Sequence, residues 1–145
     1  MTRGFNHVGI SVADLQRSIE FYRDLLGMAV VIEAPFDGPR YDAVLGLSGA
    51  RGRFAILEQA GTSFHVELFE FHHPKAKPMD LNRPVCDRGI THFCLTVSNI
   101  YAEYERLSAA GVRFHCPPSA FEKTIATYAR DPDGNVFELF EWIAD

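Results

Sequence analysis

Asn6-His7-Val8-Gly9-Ile10-Ser11-Val12 alternates as a half-buried strand does, with Val8, Ile10 and Val12 on one face and His7, Gly9 and Ser11 on the other. Past the midpoint the chain reads Thr91-His92-Phe93-Cys94-Leu95-Thr96-Val97. Each stretch leads into an amphipathic segment that ends on a glycine, Gly27 or Gly111. Each half then closes on a similar phrase, Val66-Glu67-Leu68-Phe69-Glu70-Phe71 and Phe137-Glu138-Leu139-Phe140-Glu141-Trp142. The offset is 85 from His7 to His92 and from Val12 to Val97, 84 from Gly27 to Gly111, and 71 from Glu67 to Glu138. A duplicated module with one insertion, between about 34 and 52, accounts for all four.

Working outward, Asp14 is a candidate helix N-cap, with Leu15, Ile19, Tyr22 and Leu26 at helical spacing behind it. Strands are expected at 29–33, 53–59 and 64–71, with Gly61-Thr62 as a hairpin turn and Tyr41 to Leu47 a further strand inside the Pro/Gly-rich insertion. Residues 72–89 contain His-His-Pro, Lys-Ala-Lys-Pro and Asn-Arg-Pro and read as an extended linker. The second half repeats the order. A strand at 90–97 precedes a helix capped by Asn99, and strands follow near 112–115, 124–130 and 135–142, with a turn at Asp131-Pro132-Asp133-Gly134. The expectation is an α+β fold of two tandem βαβββ modules within a single 1–145 domain: module one about 5–71, linker about 72–89, module two about 90–142.

Bulk properties narrow the function. With 47% hydrophobic residues in 145, the chain can bury a core. A formal net charge of −5 with no Lys/Arg cluster argues against nucleic acid as partner. Cys86, Cys94 and Cys116 are odd in number with no CxxC spacing, which suits a reduced, cytoplasmic setting, and Cys94 reads as a small core residue. No signal-like segment and no run of ~20 apolar residues appears, so no membrane partner is expected.

Two modules that each carry one His and one Glu supply two imidazoles and two carboxylates, a ligand set for a divalent transition metal. Strand parity puts His65, Glu67, Phe69 and Phe71 on one face of 64–71, and Val136, Glu138, Phe140 and Trp142 on one face of 135–142. The metal ligands expected are therefore His7, Glu67, His92 and Glu138. Each of the four taken alone reads as a core or solvated residue; four at repeat-equivalent positions read as a cluster. His65 has Val136 as its counterpart and ranks behind the ligands. His72, His73 and His115 lack repeat partners, and Glu70 and Glu141 point to the opposite face as surface charges. No nucleophile elbow, P-loop or dinucleotide fingerprint is present.

His7-Val8-Gly9-Ile10, Asp14-Leu15-Gln16-Arg17-Ser18-Ile19-Glu20-Phe21-Tyr22, Leu26-Gly27-Met28 and Asp131-Pro132-Asp133-Gly134-Asn135 ahead of Glu138-Leu139 closely resemble the vicinal oxygen chelate superfamily. That group includes glyoxalase I, methylmalonyl-CoA epimerase, extradiol dioxygenases and the fosfomycin and bleomycin resistance proteins. The resemblance covers nearly the whole chain. It implies paired modules whose curved mixed sheets form a cup around one divalent ion (Zn, Ni, Co, Mn or Fe), with His7, Glu67, His92 and Glu138 as ligands. This His-Glu-His-Glu pattern is most similar to that of glyoxalase I. Glyoxalase I places an Arg four residues after the first His, where this chain has Ser11, so the resemblance stops short of glutathione as the substrate's carrier. Lys75, Lys77, Arg83, Arg88, Arg40 and Arg51 are either anion-binding groups or surface charges.

The implied chemistry is proton transfer next to a carbonyl on a small-molecule substrate, in a lyase, isomerase or epimerase. The metal acts as Lewis acid, Glu138 or secondarily Glu67 as general base, and Phe69, Phe71, Phe140 and Trp142 as walls. Two alternatives remain at this point: an Fe(II)-dependent extradiol ring-cleaving dioxygenase and a non-catalytic resistance-type binding protein. The resemblance also implies a homodimer, with the metal held either within one chain or between two.

Overall fold

A computed structural model describes residues 1–143 and shows an α+β fold with two mixed sheets. The chain divides into two compact units, Met1–Pro78 and Met79–Asp145. Among the described residues no helix is long and apolar enough to cross a membrane.

In the first unit, β1 (His7–Ser11) leads to α1 (Leu15–Glu20), which continues as a π-helical turn over Phe21–Leu25. Then come β2 (Met28–Phe36), α2 (Pro39–Leu45), β3 (Arg51–Gln59) and β4 (His65–His73). The sheet order is β1-β4-β3-β2, with β1 parallel to β4 and the other pairs antiparallel. α1 starts where the sequence indicates: the Asp14 carboxylate accepts the Arg17 N–H at 3.0 Å and satisfies a donor the helix cannot. It packs on β3 and β4, burying Leu15, Ile19 and Tyr22 together with Leu57, Val66 and Leu68. Each such side chain contributes about 1.5–3 kcal/mol by leaving water.

The second unit repeats the plan with shorter strands. β5 (Phe93–Thr96) precedes α3 (Ile100–Ala109), and β6 (Arg113–Phe114), β7 (Ser119–Ala120), β8 (Thr124–Arg130) and β9 (Val136–Trp142) follow. The order is β5-β9-β8-β6, β5 runs parallel to β9, and β7 pairs with β8. Asn99 caps α3 through the Ala102 N–H at 3.1 Å. Asp131 shapes the turn before β9, accepting from the backbone N–H groups of Asp133 and Asn135 at 2.9 and 2.8 Å. The backbone bonds that close the first strand of each unit are equivalent: Val12 N–H to the Phe69 carbonyl at 2.8 Å, and Val97 N–H to the Phe140 carbonyl at 2.9 Å.

Three expectations are corrected. Tyr41 to Leu47 is not a strand; α2 occupies Pro39–Leu45, because Pro39 pre-sets the first helical φ and Gly46 stops the helix at φ 65°. The segment expected as linker from 72 begins inside β4, which runs to His73. The strand expected from 90 begins only at Phe93.

Candidate metal centre

Each unit holds one of the expected His–Glu pairs. In the first, β1 and β4 lie in parallel register with Gly9 opposite Glu67, and His7 Nε2 is 3.4 Å from Glu67 Oε2. In the second, Cys94 lies opposite Glu138, and His92 Nε2 is 3.1 Å from Glu138 Oε2. The glutamates are the more enclosed partners, with side chains 20% and 16% exposed, against 47% for His7 and 25% for His92.

The residue before each histidine completes the arrangement. Asn6 Oδ1 lies 2.9 Å from His7 Nδ1, and Thr91 Oγ1 lies 2.9 Å from His92 Nδ1. Asn6 Oδ1 can only accept, which puts the His7 ring proton on Nδ1 and leaves its Nε2 lone pair facing the carboxylate; the Thr91 hydroxyl, which can accept or donate, can hold His92 in the same way. Two lone pairs so close repel unless a cation lies between them, and Nδ1 anchored by an oxygen is how ligating histidines are oriented. The donor set therefore fits a divalent ion. Among the described residues no group of three or more His, Cys, Asp or Glu that could hold a metal is gathered at one point; each unit brings one His and one Glu together.

The two halves differ in what surrounds the pair. Ile56 lies opposite Glu67 in the first unit, and Tyr128 opposite Glu138 in the second. The Tyr128 ring sits 4.6 Å from that of His92, and its hydroxyl is raised above the usual phenol range by burial, then by the charges of Glu138 and Cys94. Cys94 is not the core residue expected; it is exposed on the strand face that also carries Glu138. Burial first, then the charge and hydrogen bond of Glu138, push its thiol up to about 12.

Glu70 and Glu141, expected as surface charges, cap helices instead. Glu70 Oε2 accepts the Leu15 N–H at 3.3 Å, and Glu141 Oε2 accepts the Ile100 N–H at 2.7 Å. His72, exposed near the end of β4, lies 3.7 Å from Glu70. His115 accepts from Arg130 Nε at 3.1 Å. The Arg83 guanidinium donates to the Ile90 carbonyl at 3.1 Å. Of the expected wall residues, Phe69 and Phe71 stack at 5.8 Å, while Trp142 meets Phe140 edge-on at 4.9 Å and stays exposed.

Asn6, Thr91 and Tyr128 escape a reading of the sequence by repeats because their counterparts differ in type: an amide matches a hydroxyl, and a phenol matches an isoleucine. The available signal was position alone, one residue before each histidine.

Two repeated modules, each with a His–Glu pair at the join of its parallel strands, define a class of α+β proteins built from paired units. The sequence profile of the Glyoxalase/Bleomycin resistance protein/Dioxygenase superfamily matches residues 4–139, and the chain belongs to that superfamily. It is 30% identical to the lactoylglutathione lyase of Pseudomonas aeruginosa, covering 94% of this chain and 81% of that protein. It is 29% identical to the lactoylglutathione lyase of Haemophilus influenzae, covering 93% and 90%. The fold matches a glyoxalase family protein from Bacillus cereus with a TM-score of 0.91 at 22% identity, over 99% of this chain and 97% of that one.

Proposed function

We propose that the two His–Glu pairs act together as one divalent-metal site, and that the protein is a glyoxalase-like lyase or isomerase moving a proton next to a carbonyl. The observation that carries this reading is the repeated geometry: in each unit Nδ1 is tethered by the preceding residue and Nε2 is turned toward a carboxylate. The similarity to lactoylglutathione lyases supports the same reaction class.

A divalent ion bound there supplies Lewis-acid stabilisation of the charge that develops on a carbonyl oxygen. His7 and His92 hold it through Nε2, Asn6 and Thr91 fix the two rings, and Glu67 and Glu138 supply the carboxylates. Glu138 takes the proton from the carbon acid, with Glu67 second in that role. Its more enclosed side chain favours a bound substrate over water as the proton source.

The test combines metal analysis with isotope exchange. Protein loaded with Zn, Ni, Co, Mn or Fe is assayed with the methylglyoxal–glutathione hemithioacetal, a methylmalonyl thioester and a catechol. Exchange of a carbon-bound proton with solvent deuterium, lost in Glu138→Gln while metal is retained, supports the reading. Oxygen uptake with the catechol and no exchange would overturn it in favour of ring cleavage. Mixing inactive His7→Ala and His92→Ala proteins decides how the pairs combine: regained activity means that two chains share each site.

A further inference from the structure

The first unit contains an open pocket of about 260 Å³ whose lining joins chemistry to apolar surface. His7 and Glu67 line it together with the apolar side chains of Val31, Ile32 and Ile56. His65 also lines it, and its Nδ1 is buried without a hydrogen-bond partner. The volume lies just below the ~300–1,000 Å³ of drug-sized sites, so the occupant is compact.

The stranded nitrogen fixes what His65 offers. A buried N–H left unpaired is rarer and more costly than an unpaired acceptor, so the ring proton belongs on Nε2 and Nδ1 keeps a lone pair. The imidazole is then a one-proton donor rather than a general-purpose contact. The charge around it selects the acceptor. Glu67 lines the same pocket and, among the described residues, no Lys or Arg does, so a carboxylate arm meets like charge without compensation. Val31 and Ile32 are 47% and 46% exposed, apolar surface that a carbon skeleton would cover. In the second unit Val136 stands where His65 does.

We propose that His65 is a substrate-binding residue. In this pocket its Nε2–H donates to an uncharged carbonyl oxygen of a compound whose compact apolar arm rests on Val31, Ile32 and Ile56. This rests on the proposed function only in calling that compound the substrate; the binding itself needs no metal.

The experiment uses the full chain stripped of metal with a chelator and titrated with acetophenone, ethylbenzene and benzoate. The methyl resonances of Val31, Ile32 and Ile56 report occupancy, and the imidazole nitrogens of His65 report the tautomer. Acetophenone should bind about three- to tenfold more tightly than ethylbenzene, the worth of one neutral hydrogen bond, and more tightly than benzoate. His65→Val should erase the preference over ethylbenzene, and His65→Gln, which keeps a donor, should retain part of it. Benzoate binding as well as acetophenone, or a preference unchanged in His65→Val, would overturn the proposal. So would a protonated Nδ1 in the wild-type protein, a readout that needs no variant to fold. Because metal is absent throughout, failure of the metal reading appears only in metal content and exchange, and leaves these outcomes intact.

Discussion

Glu141 accepts the backbone N–H of Ile100 at 2.7 Å, so the last strand of the second unit holds the first turn of its helix. Glu70 stands in the same relation to Leu15 at a longer 3.3 Å. Each glutamate lies three residues after the one that faces a histidine, on the opposite side of its strand. One carboxylate of each phrase thus faces a histidine and the other holds a helix start. Glu141→Ala strands the Ile100 N–H and removes a negative charge from a helix N-terminus, and should cost about 1–2 kcal/mol in urea unfolding. Glu70→Ala should cost less. Glu138→Gln should reverse the pattern, abolishing proton exchange with little loss of stability. Equal destabilisation by Glu138→Gln and Glu141→Ala would contradict this division.

Asn6 and Thr91 allow a separate test of the histidine geometry. If their oxygens hold Nδ1–H, removing either leaves the ligands in place but lets a ring turn. Asn6→Ala and Thr91→Val should each weaken metal binding about 10- to 100-fold, measured by chelator competition, while unfolding midpoints barely move. Both residues are exposed, which is why stability should not register the change. Wild-type affinity in both variants would show that the rings are fixed by other means.

The sequence discloses what local rules govern. Asp14 and Asn99 declare themselves because an N-cap preference acts within one turn of chain, and Gly27 and Gly111 because a left-handed φ of 72° or 88° suits no other residue as well. Parity separated Glu67 from Glu70 and Glu138 from Glu141, since a strand alternates its side chains. Parity assigns a face but not a partner, so Glu70 and Glu141 looked solvated when each lies under a helix end distant in sequence. Cys94 failed differently: its apolar neighbours suggest burial, yet its alternation sets it with His92 and Glu138. The pocket around His65 depends on Val31 and Ile32, which β2 brings across β3 by long-range pairing and by an irregularity between Val30 and Ile32. No periodicity within β4 reveals it.

Gly52 tests how tightly the first sheet is packed behind the site. The register against β4 shifts between Arg51 and Gly52, where His72 is the extra residue, and a Cβ at Gly52 would collide with the Glu70 carbonyl oxygen and come within 2.9 Å of the Phe36 ring. Backbone cannot yield as a flexible side chain can, and Phe36 is itself locked edge-on against Phe69 and Phe71 at 5.6 and 5.4 Å. Gly52→Ala should cost about 3 kcal/mol, at the upper end of overpacking effects. Gly61→Ala isolates backbone conformation from collision, because Gly61 has φ 76° and nothing near its missing Cβ. It should cost about 1 kcal/mol. Urea midpoints for the two variants that coincide would rule out the steric argument.

His115 gives the second unit a pH dependence whose sign follows from its partner. Arg130 Nε donates to His115 Nε2 at 3.1 Å, which requires the imidazole to keep a lone pair there. Burial, and then the Arg130 charge, hold the His115 pKa below the ordinary 6.5. As pH falls through that ordinary value the unfolded chain takes up the proton first, so stability falls with it. The loss continues until the pH passes the lower folded value, below which this residue adds no further slope. Arg130 also donates to the carbonyls of Gly134 and Arg83, at 2.9 and 2.8 Å, so protonation sets a positive charge beside a guanidinium that is tied in place. His115→Gln removes the titrating group. Urea midpoints measured between pH 7.5 and 5 should decline more for the wild-type chain than for the variant, on the order of the range over which a histidine titrates. Parallel declines would show that His115 is indifferent to folding and that the Arg130 contact forms with either protonation state.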